Sequence, residues 1–187
     1  MRRLTALLSL IPLVSFAYAQ SRREPIRLCV STLQNSSHSA VDMTWQRNQL
    51  LKAFERINKG KDVAKGKAAR IETVLLESNT ETDPTVRENN CEFILHTNVV
   101  EVIDAGTSDI GNSRRSIEVG SPQPDPHANA STDNRATVSY RIMRAGELDV
   151  WASGVVTAHD PLPDEILISH LMDQTASRVV DELRKQH

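Results

Sequence analysis

Aromatic side chains are scarce in this chain of 187 residues: three Phe, two Trp and two Tyr. Phe16 and Tyr18 fall in an amino-terminal segment that reads as removed, leaving Trp45, Phe54, Phe93, Tyr140 and Trp151. Five rings do not furnish an aromatic-lined sugar cleft or a base-stacking platform. Cysteine is limited to Cys29 and Cys91. No His or Cys stands at a spacing such as His-x-x-x-His or Cys-x-x-Cys, so neither a metal site nor a cofactor is expected. Basic excess is also missing. Lys and Arg total 22 against 24 Asp and Glu, for a net charge of −2. Setting Arg2 and Arg3 aside leaves 22 − 2 = 20 against 24, or −4, which argues against nucleic acid as a partner. What is present is ordinary: 39% hydrophobic and 25% charged residues, the composition of one soluble globular domain.

Residues 1–19 have a different character. Arg2 and Arg3 precede an apolar run from Leu4 to Phe16, which is followed by Ala17, Tyr18 and Ala19. A basic start, a short apolar stretch and a small-x-small end read as a secretory signal. The run is about 13 residues, short of the ~20 that a spanning helix needs. No Cys follows it to carry a lipid, and no later segment is apolar enough to span a bilayer. The expectation is a mature protein from Gln20, periplasmic or secreted, without a transmembrane segment.

In an exported chain, Cys29 and Cys91 can persist as a disulfide, sit as two buried thiols, or supply a thiol nucleophile. A bridge would close a loop of 91 − 29 = 62 residues, worth about 4 kcal/mol in the chain-entropy picture. The densest basic stretch, Lys59 to Arg70, resembles a phosphate loop only superficially. Five residues separate Gly60 from Gly66, and Ala68 stands where a magnesium-binding hydroxyl is needed. It reads as a solvated loop leaving a helix.

Periodicity gives the order of elements. Pro25 to Leu33 alternates as a strand and ends in a polar turn, Gln34 to Ser39. A helix follows from about Asp42 to Asn58, with Met43, Arg47, Leu50, Leu51, Phe54 and Ile57 on one face and Gly60 as a left-handed stop. Ala69 to Ser78 is the second strand, and Asp83 and Pro84 open a single helical turn. The third strand, Cys91 to Ile103, is rich in branched residues. From Asp104 to Arg135 periodicity vanishes among Pro122, Pro124 and Pro126, the composition of a long disordered insertion. Ala136 to Met143 and Leu148 to Ala158 then form a hairpin. On the returning strand Leu148, Val150, Ala152, Gly154 and Val156 face one side, with Trp151, Ser153 and Val155 opposite. A closing helix from Pro163 or Asp164 buries Ile168, Leu171, Met172, Thr175, Val179 and Leu183. The order strand-helix-strand-strand-strand-strand-helix predicts a single α/β domain over residues 20–187, an α+β sandwich. Its sheet is mixed, with about five strands and the helices on one face.

No constellation of catalytic residues stands out. His159 and Asp160 adjoin after a strand, where they read as a turn before the last helix; His96 reads as a packed strand histidine. Ser153 lacks the Gly two positions earlier that a nucleophile elbow requires. The carboxylates are scattered, and no general acid–base pair is visible.

Three segments carry a resemblance. "IRLCVSTLQNSS" at 26–37 before an amphipathic helix, "CEFILHTNVV" at 91–100 and "VSYRIMRAGELDVWASGVV" at 138–156 resemble the opening strand, a central strand and the hairpin of the TolB amino-terminal and CsgG-type envelope domains. Ser31, Thr32 and Leu33 replace the Pro and Phe usual after that first strand. The resemblance implies a non-catalytic cell-envelope domain that docks onto other envelope proteins. It also implies that the first and third strands are neighbours, which would bridge Cys29 to Cys91, and that the second strand lies outermost. Ile71, Thr73 and Leu75 on that edge are then the candidate partner-binding residues. The competing reading is an exported hydrolase with a site in the loops after the first and third strands, for which Asn35, His38, Asp104 and His159 are the polar residues to test.

Overall fold

The computed structural model describes residues 23–77, 84–103 and 134–185. The signal reading of residues 1–19 lies outside these, as does the segment from Asp104 onward, except for Asn134 and Arg135, which open a strand. In chain order the elements are β1 (Ile26–Val30), β2 (Gln34–Asn35), α1 (Met43–Asn58), α2 (Lys61–Ala64), β3 (Ile71–Leu75), α3 (Pro84–Glu88), β4 (Phe93–Ile103), β5 (Asn134–Arg144), β6 (Val150–Asp160) and α4 (Asp164–Arg184).

The sheet runs β3-β1-β4-β5-β6. β1 pairs parallel with both β3 and β4, while β4, β5 and β6 form an antiparallel meander. The sheet is therefore mixed, and the fold is α+β with the two long helices on one face. Alternation explains why. Ile26, Leu28 and Val30 of β1, Phe93 and Leu95 of β4, and Val138 and Ile142 of β5 share the face that α4 covers with Leu167, Ile168, Leu171, Met172, Ala176, Val179, Val180 and Leu183. Among the described residues the opposite face is closed only at one end. There the disulfide Cys29–Cys91 (Cα–Cα 5.7 Å) joins Leu76, Ile94 and Val86 of α3 in a second buried cluster.

Asp42 caps α1, its carboxylate accepting the Trp45 N–H at 2.9 Å. Arg47 of the expected stripe is replaced inside by Gln46, fully buried, whose Nε2 donates to the Glu165 carbonyl at 3.0 Å. That bond ties α1 to the first turn of α4, beside the apolar packing of the two helices and the Arg56–Asp173 ion pair.

Four sequence expectations need correction. Gly60 is not left-handed: its φ is −62°, and its N–H donates to the Ile57 carbonyl at 3.0 Å. A Cβ there would lie 2.9 Å from that same oxygen, so the glycine serves a close approach. Within the basic stretch Lys61–Ala64 forms a four-residue helix, α2, and the rest is turn and loop as expected. Gln34 and Asn35, expected in a turn, pair parallel with Asn98 and Val99 as a continuation of β1 beside β4. The returning hairpin strand is the fourth case. Register slips between Ile142 and Met143, which face Ala152 and Val150, leaving Trp151 as an extra residue. One extra residue inverts every side chain beyond it. Val150 therefore leaves the core face and stands 46% exposed, while Trp151 turns inward against Phe93, ring centroids 5.1 Å apart; Leu148, expected in this strand, lies before its start and is 84% exposed.

Candidate functional site

Among the described residues β3 is an edge strand, hydrogen-bonded only to β1. Its orientation follows from two bonds at its ends: Ile26 N–H donates to the Arg70 carbonyl at 2.8 Å, and Leu76 N–H donates to the Val30 carbonyl at 2.9 Å. Residues two apart in a strand point their N–H and C=O the same way. Glu72 and Val74 therefore serve the ladder to β1, whereas Ile71, Thr73 and Leu75 turn their backbone groups away from the sheet.

The three outward residues do not share one fate. The Asn58 side chain, at the last position of α1, takes both backbone groups of Ile71. Its Oδ1 accepts the Ile71 N–H at 2.9 Å, and its Nδ2 donates to the Ile71 carbonyl at 2.6 Å. A side-chain amide carries the donor and acceptor of a peptide unit, so Asn58 occupies the place of a neighbouring strand for one residue. The Ile71 side chain itself is buried in the core. Ile71 is thereby removed from the surface, and the accessible edge contracts to Thr73, half-buried, and Leu75, 41% exposed. Among the described residues, no bond is made to the outward backbone groups of those two. Sequence reasoning did not find Asn58. It stands 13 residues from its partner, and in the sequence it looks like any polar residue ending a helix.

A second tie holds the start of the strand. The Arg184 guanidinium, at the end of α4, donates to the Ala69 carbonyl at 3.2 and 3.3 Å. Burial there pushes its pKa below the usual arginine value, with Asp181 and Asp62 opposing the shift. Both long helices thus end on the residues that lead into β3. An open cleft of about 850 Å³ adjoins this edge, and its walls include Arg23, Lys59 and Arg70 together with Glu24, Glu55 and Glu72. Three charges of each sign give the cleft no preference for an anionic or cationic ligand.

The alternative site does not assemble. Asn35 is engaged locally: its Oδ1 accepts the Ser37 N–H at 3.0 Å and its Nδ2 donates to the Ser39 carbonyl at 2.9 Å. His38 is exposed nearby. His159 lies opposite Arg135 on β6, with β4 and β5 between it and Asn35. Three strand spacings of ~4.8 Å keep the two about 14 Å apart or more. Asp104 lies outside the described residues. Among those described, no three His, Cys, Asp or Glu side chains are grouped to hold a metal ion.

No family model matches the chain, and no curated protein matches it. Solved structures do. A subunit of the PelC dodecamer from Paraburkholderia phytofirmans superposes with a TM-score of 0.50 over 83% of this chain and 88% of that one, at 10% identity. Lipoprotein GNA1162 from Neisseria meningitidis is 12% identical over 84% of this chain and 99% of that one, with a TM-score of 0.35. The LpoB C-terminal domain from Salmonella enterica is 9% identical over 71% and 82%, with a TM-score of 0.31. At such identities the likeness is one of fold. The fold is shared with a bacterial protein, PelC, and the likeness does not single out the TolB or CsgG group.

Proposed function

We propose that this chain is an exported, non-catalytic domain of the bacterial cell envelope. In this reading it docks onto another envelope protein by accepting a strand at the β3 edge, in the manner that the TolB and CsgG resemblance implies. One observation carries it: the outward N–H and C=O groups of Thr73 and Leu75 have no partner among the described residues, and they lie beside the exposed Leu75 side chain. An added strand gains main-chain bonds there and an apolar contact. Asn58 limits the length of the pairing, because an incoming strand cannot bond to Ile71 while the amide holds that position. Export is supported by the pattern of residues 1–19. No described helix is long and apolar enough to cross a membrane.

Proline substitution tests the docking surface. At Thr73 proline removes an N–H that only an added strand would use. At Val74 it removes one that the ladder to β1 needs. Thr73→Pro should keep the circular dichroism of the parent and lose capture of the envelope partner in a pull-down. Val74→Pro should lose structure, and His38→Ala and His159→Ala should bind as the parent does. Normal capture by Thr73→Pro, with activity abolished in His159→Ala, would replace docking with the hydrolase reading.

A further inference from the structure

The two edges of the sheet are unlike. β3 spans five residues and is closed at its first outward position by Asn58; β6 spans eleven. From Trp151 to Ala158 it reads Trp-Ala-Ser-Gly-Val-Val-Thr-Ala, without a charge or a proline. Natural edges are usually blunted by Lys, Pro, a bulge or a covering segment. Here the bulge sits at Trp151, at the start, and the ladder to β5 is regular from Ala152 to Asp160. Among the described residues nothing covers this uncharged run, which is the kind of edge that pairs with another chain.

The backbone direction can be traced from the neighbouring strand. Ala145 N–H donates to the Glu92 carbonyl at 2.9 Å, which turns Met143, Arg141 and Ser139 of β5 toward β4. Ile142, Tyr140 and Val138 therefore serve β6, and their partners are Ala152, Gly154 and Val156. The hydroxyls of Thr137 and Thr157 lie 3.3 Å apart, in keeping with the closer side chains of a pair that exchanges no backbone bonds. Ser153, Val155 and Thr157 thus present N–H and C=O outward. They are spaced evenly about Val155, whose side chain is 55% exposed on the open face.

We propose that β6 pairs antiparallel with β6 of a second copy of this chain, across a two-fold axis at Val155, joining the two sheets into one. A two-fold interface needs a patch that complements itself. In this register Ser153 of one copy faces Thr157 of the other, Val155 faces its own counterpart, and three residue pairs exchange N–H···O bonds. Asp160 meets Val150 and His159 meets Trp151, so no like charges are opposed. The exposed Val150 and Val155 side chains are covered in the same step. This inference does not rest on the β3 reading, because it uses the opposite edge.

Sedimentation of the purified chain from about 1 to 200 µM should show a dimer. Val155→Lys places two ammonium groups face to face on the axis, at a position exposed in the single copy, and should give a monomer with unchanged circular dichroism. Under mild oxidation Val155→Cys should give a covalent dimer on a non-reducing gel, since paired Cα atoms ~5.5 Å apart can be bridged. Thr157→Cys should not, because two residues off the axis separates the pair by roughly 13 Å. The proposal is overturned by a monomer throughout that range, by a dimer that survives Val155→Lys, or by Thr157→Cys cross-linking as readily as Val155→Cys. Thr73→Pro should leave the dimer intact, so failure at one edge is distinguishable from failure at the other.

Discussion

Replacing Asn58 by alanine should weaken the fold and strengthen the edge at once. The substitution deletes two hydrogen bonds to Ile71, of 2.9 and 2.6 Å, both partly buried. Each is worth about 0.5–1.5 kcal/mol net. The adjoining cleft admits water to the released backbone groups, which limits the desolvation cost. Alanine also favours the last helical turn over asparagine by a few tenths of a kcal/mol. The sum is a loss of about 0.5–2.5 kcal/mol, or roughly 1–10 °C in Tm for a domain of this size. Asn58→Asp should cost more than alanine. Its carboxylate still accepts the Ile71 N–H, but it faces the Ile71 carbonyl without a donor and adds a negative charge at a helix carboxyl end. Chemical denaturation of the three proteins measures the stability order. Binding of the envelope partner should move the other way, because Ile71 joins Thr73 and Leu75 as a free pairing position. Equal stability of Asn58→Ala and the parent, or Asn58→Asp more stable than Asn58→Ala, would refute the strand-mimic reasoning.

Removing the disulfide with Cys29→Ala and Cys91→Ala together should cost about 4 kcal/mol, from the loop of 62 residues it closes; a denaturant midpoint unchanged from the parent would contradict that. Gly154→Ala should destabilise by about 1–3 kcal/mol through overpacking, since its Cβ would lie 2.6 Å from the Tyr140 ring, and near-ultraviolet circular dichroism should report the displaced ring. The Tyr140 phenol should titrate above 10.0, raised first by burial and then by Glu182. Because the folded value exceeds the unfolded one, the associated stability is present below pH 10.0 and is lost as pH rises through the folded value. Absorbance at 295 nm, compared with the same chain in guanidinium, measures the shift.

The long helices were legible because their stripes repeat over several turns: Ile168, Leu171, Met172, Thr175, Val179 and Leu183 are all fully buried as the spacing implied. Strand order was legible only through the resemblance, since alternation says which face a residue takes and nothing about its neighbour. Trp151 shows the limit of alternation itself. A single extra residue reversed the face of Val150, and no local signal in Leu-Asp-Val-Trp marks a bulge. Gln34 and Asn35 defeated propensity, because a two-residue pairing beside β4 is dictated by the path of the chain after β1. Asn58 and Gln46 belong to a third class. Each makes its decisive bond to a distant backbone group, and nothing in the residue's own surroundings along the chain announces it.

β1, the earliest strand described, lies between β3 and β4 rather than at a margin. A chain that emerges amino-terminus first therefore produces this interior strand before either of its neighbours exists. Parallel pairing with β3 requires α1 to be spanned, and pairing with β4 requires Leu28 to reach Phe93, 65 residues on. Contacts of such separation form late and slowly. The antiparallel trio can assemble without β1, whereas β1 has no partner until β3 or β4 arrives. Cys29 likewise has no cysteine of its own chain to pair with until Cys91 follows 62 residues later, and in that interval it is open only to a thiol outside the chain.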